Sequence, residues 1–295
     1  MEQKLQGIVL RCIGGFYYVE AAGAVYTCRA RGAFRRRGLT PVAGDHVHIT
    51  VPAEGDGVLE EVLERRNYLL RPPVANLDLL VLVASVREPE TNTLVLDKMI
   101  AIAEKRGITP IIVINKADLA DPSALENIYR RAGLECYTVC AREPKTLEPL
   151  RQRLVGQVSV FSGNSGVGKS SILNGLEPAL VLETGEISRK LGRGRHTTRT
   201  ATLYPLAGGY LADTPGFSSL DMAQVEPIAK DELADCFREF APYLGRCRFA
   251  GCAHYKEPGC AVRQAVEAGE IPRSRYESYV TMYKAVKDKK EWEKP

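Results

Sequence analysis

The stretch with the most specific chemistry is rich in glycine and ends in a lysine and a hydroxyl residue. It reads Gly163-Asn164-Ser165-Gly166-Val167-Gly168-Lys169-Ser170, followed by Ser171, and fits the phosphate-binding pattern G-x-x-x-x-G-K-[ST]. A polyphosphate needs close backbone approach, many N–H donors and a cation. We predict that these nine residues bind a nucleotide, that Lys169 contacts the reacting β- and γ-phosphates, and that Ser170 binds Mg²⁺. An unoccupied glycine-rich turn is the alternative.

A second motif, after the apolar stretch IIVI, has the residues needed to recognise a base. It reads Asn115-Lys116-Ala117-Asp118 and fits N-K-x-D. A carboxylate at Asp118 can accept hydrogens from N1 and N2 of guanine, and adenine lacks that donor pair, so the motif predicts guanine and argues against an ATPase. We expect Asn115 to tie this loop to the phosphate side and the Lys116 stem to cover the base. Cys140 and Ala141 should bring the Ala141 amide near the guanine oxygen.

A third motif follows the apolar stretch GYLA and would sense the terminal phosphate. Asp213-Thr214-Pro215-Gly216 fits D-x-x-G. We expect Asp213 to hold Mg²⁺ through water and the Gly216 amide to contact the γ-phosphate. Upstream, Thr197 and Thr198 offer hydroxyls that would complete the metal shell when a triphosphate is bound, and the sequence does not choose between them.

The residue directly after D-x-x-G bears on the rate of hydrolysis. It is Phe217, at a position where many small GTPases carry a glutamine that orients the attacking water. A phenyl ring cannot make those hydrogen bonds, so slow intrinsic hydrolysis is expected. His196 is the nearest histidine in sequence and is our candidate for orienting the water. A contact between His196 and RNA is the alternative.

Three cysteines and a histidine crowd together near the C-terminus, at Cys247, Cys252, His254 and Cys260. Three thiolates and an imidazole form a standard tetrahedral zinc shell, so we predict one zinc ion. Free thiols beside a surface histidine are the alternative, and Cys236 is a spare that could replace one ligand. The other cysteines lie in apolar stretches and are predicted to be buried thiols: Cys12, Cys28, Cys136 and Cys140.

The elements that must position these motifs fall into three regions. Residues 1–70 contain short runs rich in Val, Ile, Tyr and Thr, separated by Gly or Pro, which predicts a small all-β barrel. An OB-fold is the leading candidate, and an SH3-like barrel remains open. Residues 71–220 alternate apolar strands with helices, which predicts an α/β P-loop domain. Residues 221–295 are predicted to be a helical zinc-binding domain.

Within the α/β region, the run LDLLVLVASV over 77–86 is nearly continuous in apolar residues, as expected for a strand buried on both faces. We predict helices over 93–106 and 122–132, and strands over 111–114, 136–139 and 158–161. The phosphate-binding loop then lies between a strand and a helix, the context that its motif requires.

The motifs occur in an unusual order: base motif, phosphate loop, switch threonines, D-x-x-G. In most GTPases the base motif comes last, so the order predicts a circular permutation, which a fold tolerates when its old termini are close. Together with VAGDHV, RPPVANLD and the Cys/His cluster, these motifs resemble the ribosome small-subunit-dependent GTPases (RsgA) along nearly the whole chain. The resemblance implies a GTPase that binds the 30S subunit and its rRNA late in assembly and hydrolyses GTP slowly until the subunit stimulates it.

Two other functions remain to be distinguished from this one. A GTP-dependent signalling switch would act on a protein partner, and an RNA-binding protein could carry an inert GTPase core. The flanking barrel and zinc domain favour RNA over a protein partner, and the intact Lys169, Ser170 and Asp213 favour an active enzyme. Because D-x-x-G runs directly into the last region, we also expect the GTP and GDP forms to differ most in the docking of residues 221–295.

Composition and charge set the remaining expectations. Apolar residues make up 45% and charged residues 26% of the 295 residues, as in an ordinary globular protein. No apolar run is long enough for a membrane span, and the N-terminus does not resemble a signal peptide, so we expect a cytoplasmic protein. We also expect a monomer. The net charge is only +4, but basic residues cluster without acids at Arg29, Arg31, Arg35, Arg36 and Arg37 and at Arg189, Lys190, Arg193, Arg195 and Arg199. These clusters are candidates for binding rRNA, with a solvated face as the alternative.

Overall fold

The structure is a computed structural model that describes residues 2–30, 34, 39–70, 73–178, 201–213 and 228–288. Several predicted residues therefore lie outside the described part: His196, Thr197, Thr198, Gly216, Phe217, the second basic cluster and the arginines at 31 and 35–37. Asp213 is described by its backbone alone. The described strands and helices are β1 (Gln3–Ile13), β2 (Phe16–Ala21), β3 (Ala24–Ala30), β4 (His46–Val51), β5 (Gly57–Val62), β6 (Tyr68–Leu70), β7 (Pro73–Ala75), β8 (Leu79–Ser85), α1 (Thr93–Lys105), β9 (Thr109–Asn115), α2 (Ser123–Arg131), β10 (Glu135–Thr138), α3 (Glu148–Leu154), β11 (Val158–Ser162), α4 (Lys169–Leu176), β12 (Thr202–Leu206), β13 (Gly209–Asp213), α5 (Ala261–Glu267) and α6 (Arg273–Val286).

The first five strands form a closed barrel. Strand β1 pairs with both β2 and β4, β3 pairs in parallel with β5, and β4 pairs with β5. The ring order β1-β2-β3-β5-β4 confirms the OB-fold prediction over the SH3-like alternative. Alternate residues point inward, and Val9, Val19 and Leu59 are fully buried in its core.

The chain divides into two compact units, of which the first contains the barrel and the second contains the C-terminal region. In the first unit, β1 also pairs with β12, and β12 pairs antiparallel with β13. Strand β13 in turn lies parallel to β11. The described part of this unit is therefore a barrel whose first strand is shared with a further sheet.

The second unit holds the sheet order β10-β9-β8 with α1 and α2. All seven residues of β8 are buried, which confirms the strand expected from the LDLLVLVASV run. Helix α1 begins after Asn92, whose side chain accepts a hydrogen bond from the Val95 amide at 3.3 Å. The chain turns at Gly107, which has φ = 65°, a conformation that glycine adopts without a steric penalty.

The same unit includes the C-terminal elements α5 and α6, together with 3₁₀ turns at Ala234–Cys236 and Arg238–Tyr243. These elements pack on α1 through apolar and aromatic side chains, and Phe237, Phe240 and Tyr279 are almost fully buried there. Their rings lie 5.0–5.4 Å apart, a spacing typical of favourable aromatic pairs. No helix in the described ranges is both long and apolar enough to span a bilayer.

Candidate nucleotide site and zinc centre

The base motif and the phosphate loop meet at Asn115, the last residue of β9. Asn115 is 2% exposed, and its Nδ2 donates to the carbonyl oxygen of Val167 at 2.9 Å. Its Oδ1 accepts from the Ala141 amide at 3.1 Å. One buried side chain thus links all three loops that were predicted to surround the nucleotide, as expected for Asn115 from its position in N-K-x-D.

The Ala141 amide therefore donates its hydrogen bond to Asn115. The preceding residue, Cys140, is held by the side chain of Thr146. Thr146 Oγ1 accepts from the Cys140 amide at 3.0 Å and donates to a nearby backbone carbonyl. The predicted contact of Ala141 with the guanine oxygen stays a prediction. Asp118 is an exposed residue, and its carboxylate lies 3.7 Å from the exposed guanidinium of Arg142.

Glycine is required at two positions of the phosphate loop because other atoms occupy the space of a side chain. A Cβ on Gly163 would lie 2.3 Å from the Val83 carbonyl oxygen, and one on Gly168 would lie 2.2 Å from Asn115 Nδ2. Both residues also have φ values in the region that favours glycine, 146° and 96°. The motif's first and last glycines are thus explained by close packing around the loop.

Lys169, at the start of α4, folds back over the loop. Its Nζ donates to the carbonyl oxygens of Gly163 and Asn164 at 2.6 and 2.8 Å. Burial lowers the pKa of this ammonium group, and a phosphate beside it would favour the charged form again. The lysine is placed where it can exchange carbonyl oxygens for phosphate oxygens. Ser170 and Ser171 follow in the first turn of α4, and the Asp213 backbone ends β13.

The four predicted zinc ligands come together. Their ligand atoms all lie within 4.8 Å of one another. Cys247 Sγ is 3.5 Å from His254 Nδ1 and 3.9 Å from Cys260 Sγ, and His254 Nδ1 is 3.4 Å from Cys260 Sγ. A tetrahedral zinc ion with Zn–S bonds near 2.3 Å requires ligand separations of about 3.6–3.8 Å, so the geometry fits the ion.

Chemistry around the cluster also suits a metal. Burial lowers the pKa of His254, which favours the neutral imidazole that a metal requires. Cys236, the spare cysteine, lies outside this group: its thiol donates to the Glu232 carbonyl at 3.3 Å. The alternative of free thiols beside a surface histidine does not fit, because His254 is only 5% exposed.

Sequence reasoning missed one set of residues at the nucleotide site. Ser85, Glu88, Pro89 and Thr91 lie in the segment between β8 and α1, which contacts both the base motif and the phosphate loop. No motif marks them. The available signal was that polar residues follow the carboxyl end of a buried strand, where open α/β sheets bind ligands.

Known proteins resemble this chain over nearly its whole length. The family description "RsgA GTPase" matches residues 62–223, and "RsgA N-terminal domain" matches residues 6–59. The small ribosomal subunit biogenesis GTPase RsgA of Geobacillus kaustophilus is 47% identical over 97% of this chain and 98% of its own length. The protein of the same description from Moorella thermoacetica is 46% identical over 94% of this chain and 96% of its own length.

Two solved structures share the fold. YjeQ from Thermotoga maritima superposes with a TM-score of 0.83 at 37% identity, covering 98% of this chain and all of the other. YloQ, described as a circularly permuted GTPase, gives 0.81 at 35% identity over 98% and 96% of the two chains. With a barrel, a permuted order of nucleotide motifs and a Cys₃His cluster all in place, the chain belongs to the RsgA GTPase family.

Proposed function

We propose that this chain hydrolyses GTP to GDP and phosphate, binds the small (30S) ribosomal subunit through its rRNA, and acts in late maturation of that subunit. The observation that carries the proposal is the Asn115 amide, which joins the N-K-x-D loop to the phosphate loop through hydrogen bonds of 2.9 and 3.1 Å. A guanine base and a polyphosphate can then bind to one connected site. The relatives described as small-subunit biogenesis GTPases supply the partner.

In this proposal the nucleotide binds with Mg²⁺, for which Ser170 and Asp213 supply the protein ligands together with Thr197 or Thr198. Lys169 and the Gly216 amide neutralise charge on the transferred phosphoryl group. His196 orients the attacking water. A single zinc ion bound by Cys247, Cys252, His254 and Cys260 stabilises the C-terminal region. We further propose that the protein works as a monomer in the cytoplasm.

The decisive experiment is GTP turnover measured with and without purified small subunits, with ATP as a control. Turnover that is slow alone, rises with the subunit and is absent with ATP supports the proposal. A pull-down that recovers a protein partner but no rRNA would favour a signalling switch. Absence of turnover in a single-turnover assay with subunits would leave an RNA-binding protein with an inert core.

Base recognition has its own test in Asp118→Asn. The carboxamide accepts from N1–H of the base but presents an N–H donor where guanine carries its amino group, so it fits xanthine, which has an oxygen there. We expect affinity for GDP to fall and affinity for xanthosine diphosphate to rise. Unchanged preference for GDP would remove Asp118 from base recognition.

The role of His196 is tested by His196→Ala. If His196 orients water, subunit-stimulated turnover falls while nucleotide affinity holds. If turnover and affinity are both unchanged, the catalytic role is lost and a contact with RNA becomes the better explanation.

A further inference from the structure

The segment that joins β8 to α1, residues 85–91 (the 85–91 loop), contacts both motifs of the nucleotide site. The Lys116 ammonium donates a hydrogen bond to the Glu88 carbonyl oxygen. The Val86 amide donates to the Asn115 carbonyl oxygen at 3.3 Å. Pro89 lies beside the phosphate loop, since a Cβ on Gly166 would be 3.5 Å from its Cδ. The loop therefore lies against two residues of N-K-x-D and one glycine of the phosphate loop.

Two hydroxyl groups hold the 85–91 loop in this shape. Thr91 Oγ1 accepts from the Ser85 amide at 3.0 Å and donates to the Ser85 carbonyl at 2.8 Å. Ser85 Oγ donates to the Pro89 carbonyl at 2.5 Å, and Ser85 is only 1% exposed. Because the Thr91 hydroxyl both donates and accepts, it joins the two ends of the loop through two hydrogen bonds to the Ser85 backbone.

The loop has a direct effect on the Lys116 side chain. A lysine stem that must lie over a base loses rotamer freedom on binding, and this loss opposes affinity. The hydrogen bond from the Lys116 ammonium to the Glu88 carbonyl oxygen restricts that stem, so less ordering of the lysine remains to oppose binding. Lys116 itself has φ = 62°, a backbone conformation that is unfavourable for a residue other than glycine. The neighbouring contacts must therefore hold it there.

We infer that Thr91 and Ser85 are positioning residues for the guanine nucleotide: by closing the 85–91 loop they place the Glu88 carbonyl under the Lys116 ammonium and Pro89 against the phosphate loop. The inference rests on the proposed guanine-nucleotide site. Neither hydroxyl needs to contact the nucleotide, and neither takes part in phosphoryl transfer. Loss of either should therefore affect nucleotide retention and leave the chemical step unchanged.

The test uses the full chain and a fluorescent GDP analogue. Thr91→Val keeps the side-chain shape and removes the hydroxyl, whereas Thr91→Ser keeps the hydroxyl and removes a methyl group. We expect GDP to dissociate about tenfold faster from Thr91→Val, as for the loss of hydrogen bonds worth about 1.4 kcal/mol, and at close to the wild-type rate from Thr91→Ser. The single-turnover rate at saturating GTP should match wild type in both.

Thr281→Val is the matched control, since the Thr281 hydroxyl also donates to a backbone carbonyl, at 2.8 Å, but in α6. It should leave GDP dissociation unchanged. If Thr91→Val does not fold, Ser85→Ala carries the test with a several-fold faster dissociation, because it removes only the bond to Pro89.

The inference is overturned if Thr91→Val retains GDP like wild type, or if Thr91→Ser fails to restore retention, which would indicate packing by the methyl group. A lower melting temperature with unchanged GDP dissociation would also overturn it. Failure of the proposed function looks different: the wild-type protein itself would bind GDP no better than ADP.

Discussion

Asn115 shows how one residue can connect the N-K-x-D loop to the phosphate-binding loop. Its amide group makes hydrogen bonds to Val167 and Ala141 from a fully enclosed position. Gly168 leaves room for this amide, because any Cβ there would overlap Asn115 Nδ2. The asparagine in the base motif therefore requires the last glycine of the phosphate loop, although 53 positions separate the two residues in the chain.

At this scale we predict that Asn115→Ala weakens GDP binding by roughly 30-fold, about 2 kcal/mol for two lost hydrogen bonds. Isothermal titration calorimetry measures the effect. Asn67→Ala is the matched control, because Asn67 is also a buried asparagine whose amide bonds the backbone, at both N–H and carbonyl of Leu77. The control should lower the unfolding free energy without changing GDP affinity. Equal GDP affinities for the two variants would contradict the role of Asn115.

At the scale of elements, the loop that carries Cys252 and His254 is held in place by groups other than the four side chains of the Cys/His cluster. The Tyr279 hydroxyl donates to the Ala253 carbonyl at 2.7 Å, and the Tyr276 hydroxyl donates to the His254 carbonyl at 3.0 Å. Glu257 accepts from the amides of Ala253, Tyr255 and Lys256. Helix α6 and one carboxylate thus orient the ligand loop, as outer-shell groups do at metal sites.

We predict that Cys252→Ser loses most of the bound zinc, because the ion needs all four ligands in a closed structural site. Metal analysis of the purified protein measures this, and hydrogen exchange should show lower protection across residues 244–262. Cys236→Ser is the control with a spare thiol and should retain one zinc per chain. If Cys236→Ser loses zinc and Cys252→Ser retains it, then Cys236 is the ligand and Cys252 is the spare cysteine, contrary to this prediction.

The sequence predicted these elements well where the signal was local. Strand β8 and helix α1 follow directly from their apolar patterns, and the Cys/His spacing predicted a cluster that the fold brings together. Asn115 was also expected to connect two loops, because the N-K-x-D motif implies a base beside a phosphate site. These inferences succeed because each motif carries its own chemistry or periodicity.

Other features could not be predicted because they depend on partners far along the chain. An arginine such as Arg275 in a charged helix is usually solvated, and nothing local indicates that it is fully buried. The 85–91 loop has no motif, since it contacts Lys116 through a backbone carbonyl and is closed by two ordinary hydroxyl residues. The pairing of β1 with β12 joins residues almost two hundred positions apart, beyond the reach of any periodicity argument.

At the scale of the whole molecule, Arg275 holds the C-terminal elements to α1. It donates to Asp97 Oδ1 on α1 at 2.7 Å and to both Glu239 oxygens at 2.7 and 3.2 Å. Its guanidinium also lies 4.7 Å from the centre of the Phe237 ring. Burial raises the pKa of Asp97, and the charge of Arg275 opposes that rise. One buried cation therefore compensates two carboxylates that are almost fully shielded from solvent.

We predict that Arg275→Met costs about 3–5 kcal/mol of unfolding free energy at neutral pH, because it leaves two buried carboxylates uncompensated. Without Arg275 the folded-state pKa of Asp97 lies further above its unfolded value. The deficit should then be small at acid pH, grow as pH rises from the unfolded to the folded pKa of Asp97, and level off above the folded pKa. Urea denaturation across a pH series measures it.

Arg238→Met is the control for this series. Arg238 bonds Glu104 at 2.7 Å from a partly exposed position, so its loss should cost only about 1 kcal/mol. A deficit for Arg275→Met that does not change with pH would contradict the role given to the Asp97 carboxylate.

The expected difference between the GTP and GDP forms also belongs to this scale. Residues 221–295 follow D-x-x-G directly, and their described part contacts α1 through Arg275, Arg238 and Lys105–Glu232. We predict that hydrogen-exchange protection of residues 228–288 and of α1 changes together when GTP is replaced by GDP. Identical protection in the two states would remove the coupling.

Strand β1 gives the molecule one more property, through its hydrogen bonds to β12 as well as to its barrel neighbours. The register pairs Arg11 of β1 with Thr202 of β12, so a shortened gene that began after the barrel would encode a protein in which this end of β12 is an open strand edge that a second copy can pair with. We expect such a product to self-associate, which light scattering would detect, whereas the intact chain stays monodisperse. The N-terminal barrel thus covers a strand end that would otherwise be open to pairing between chains, so the rest of the protein depends on it.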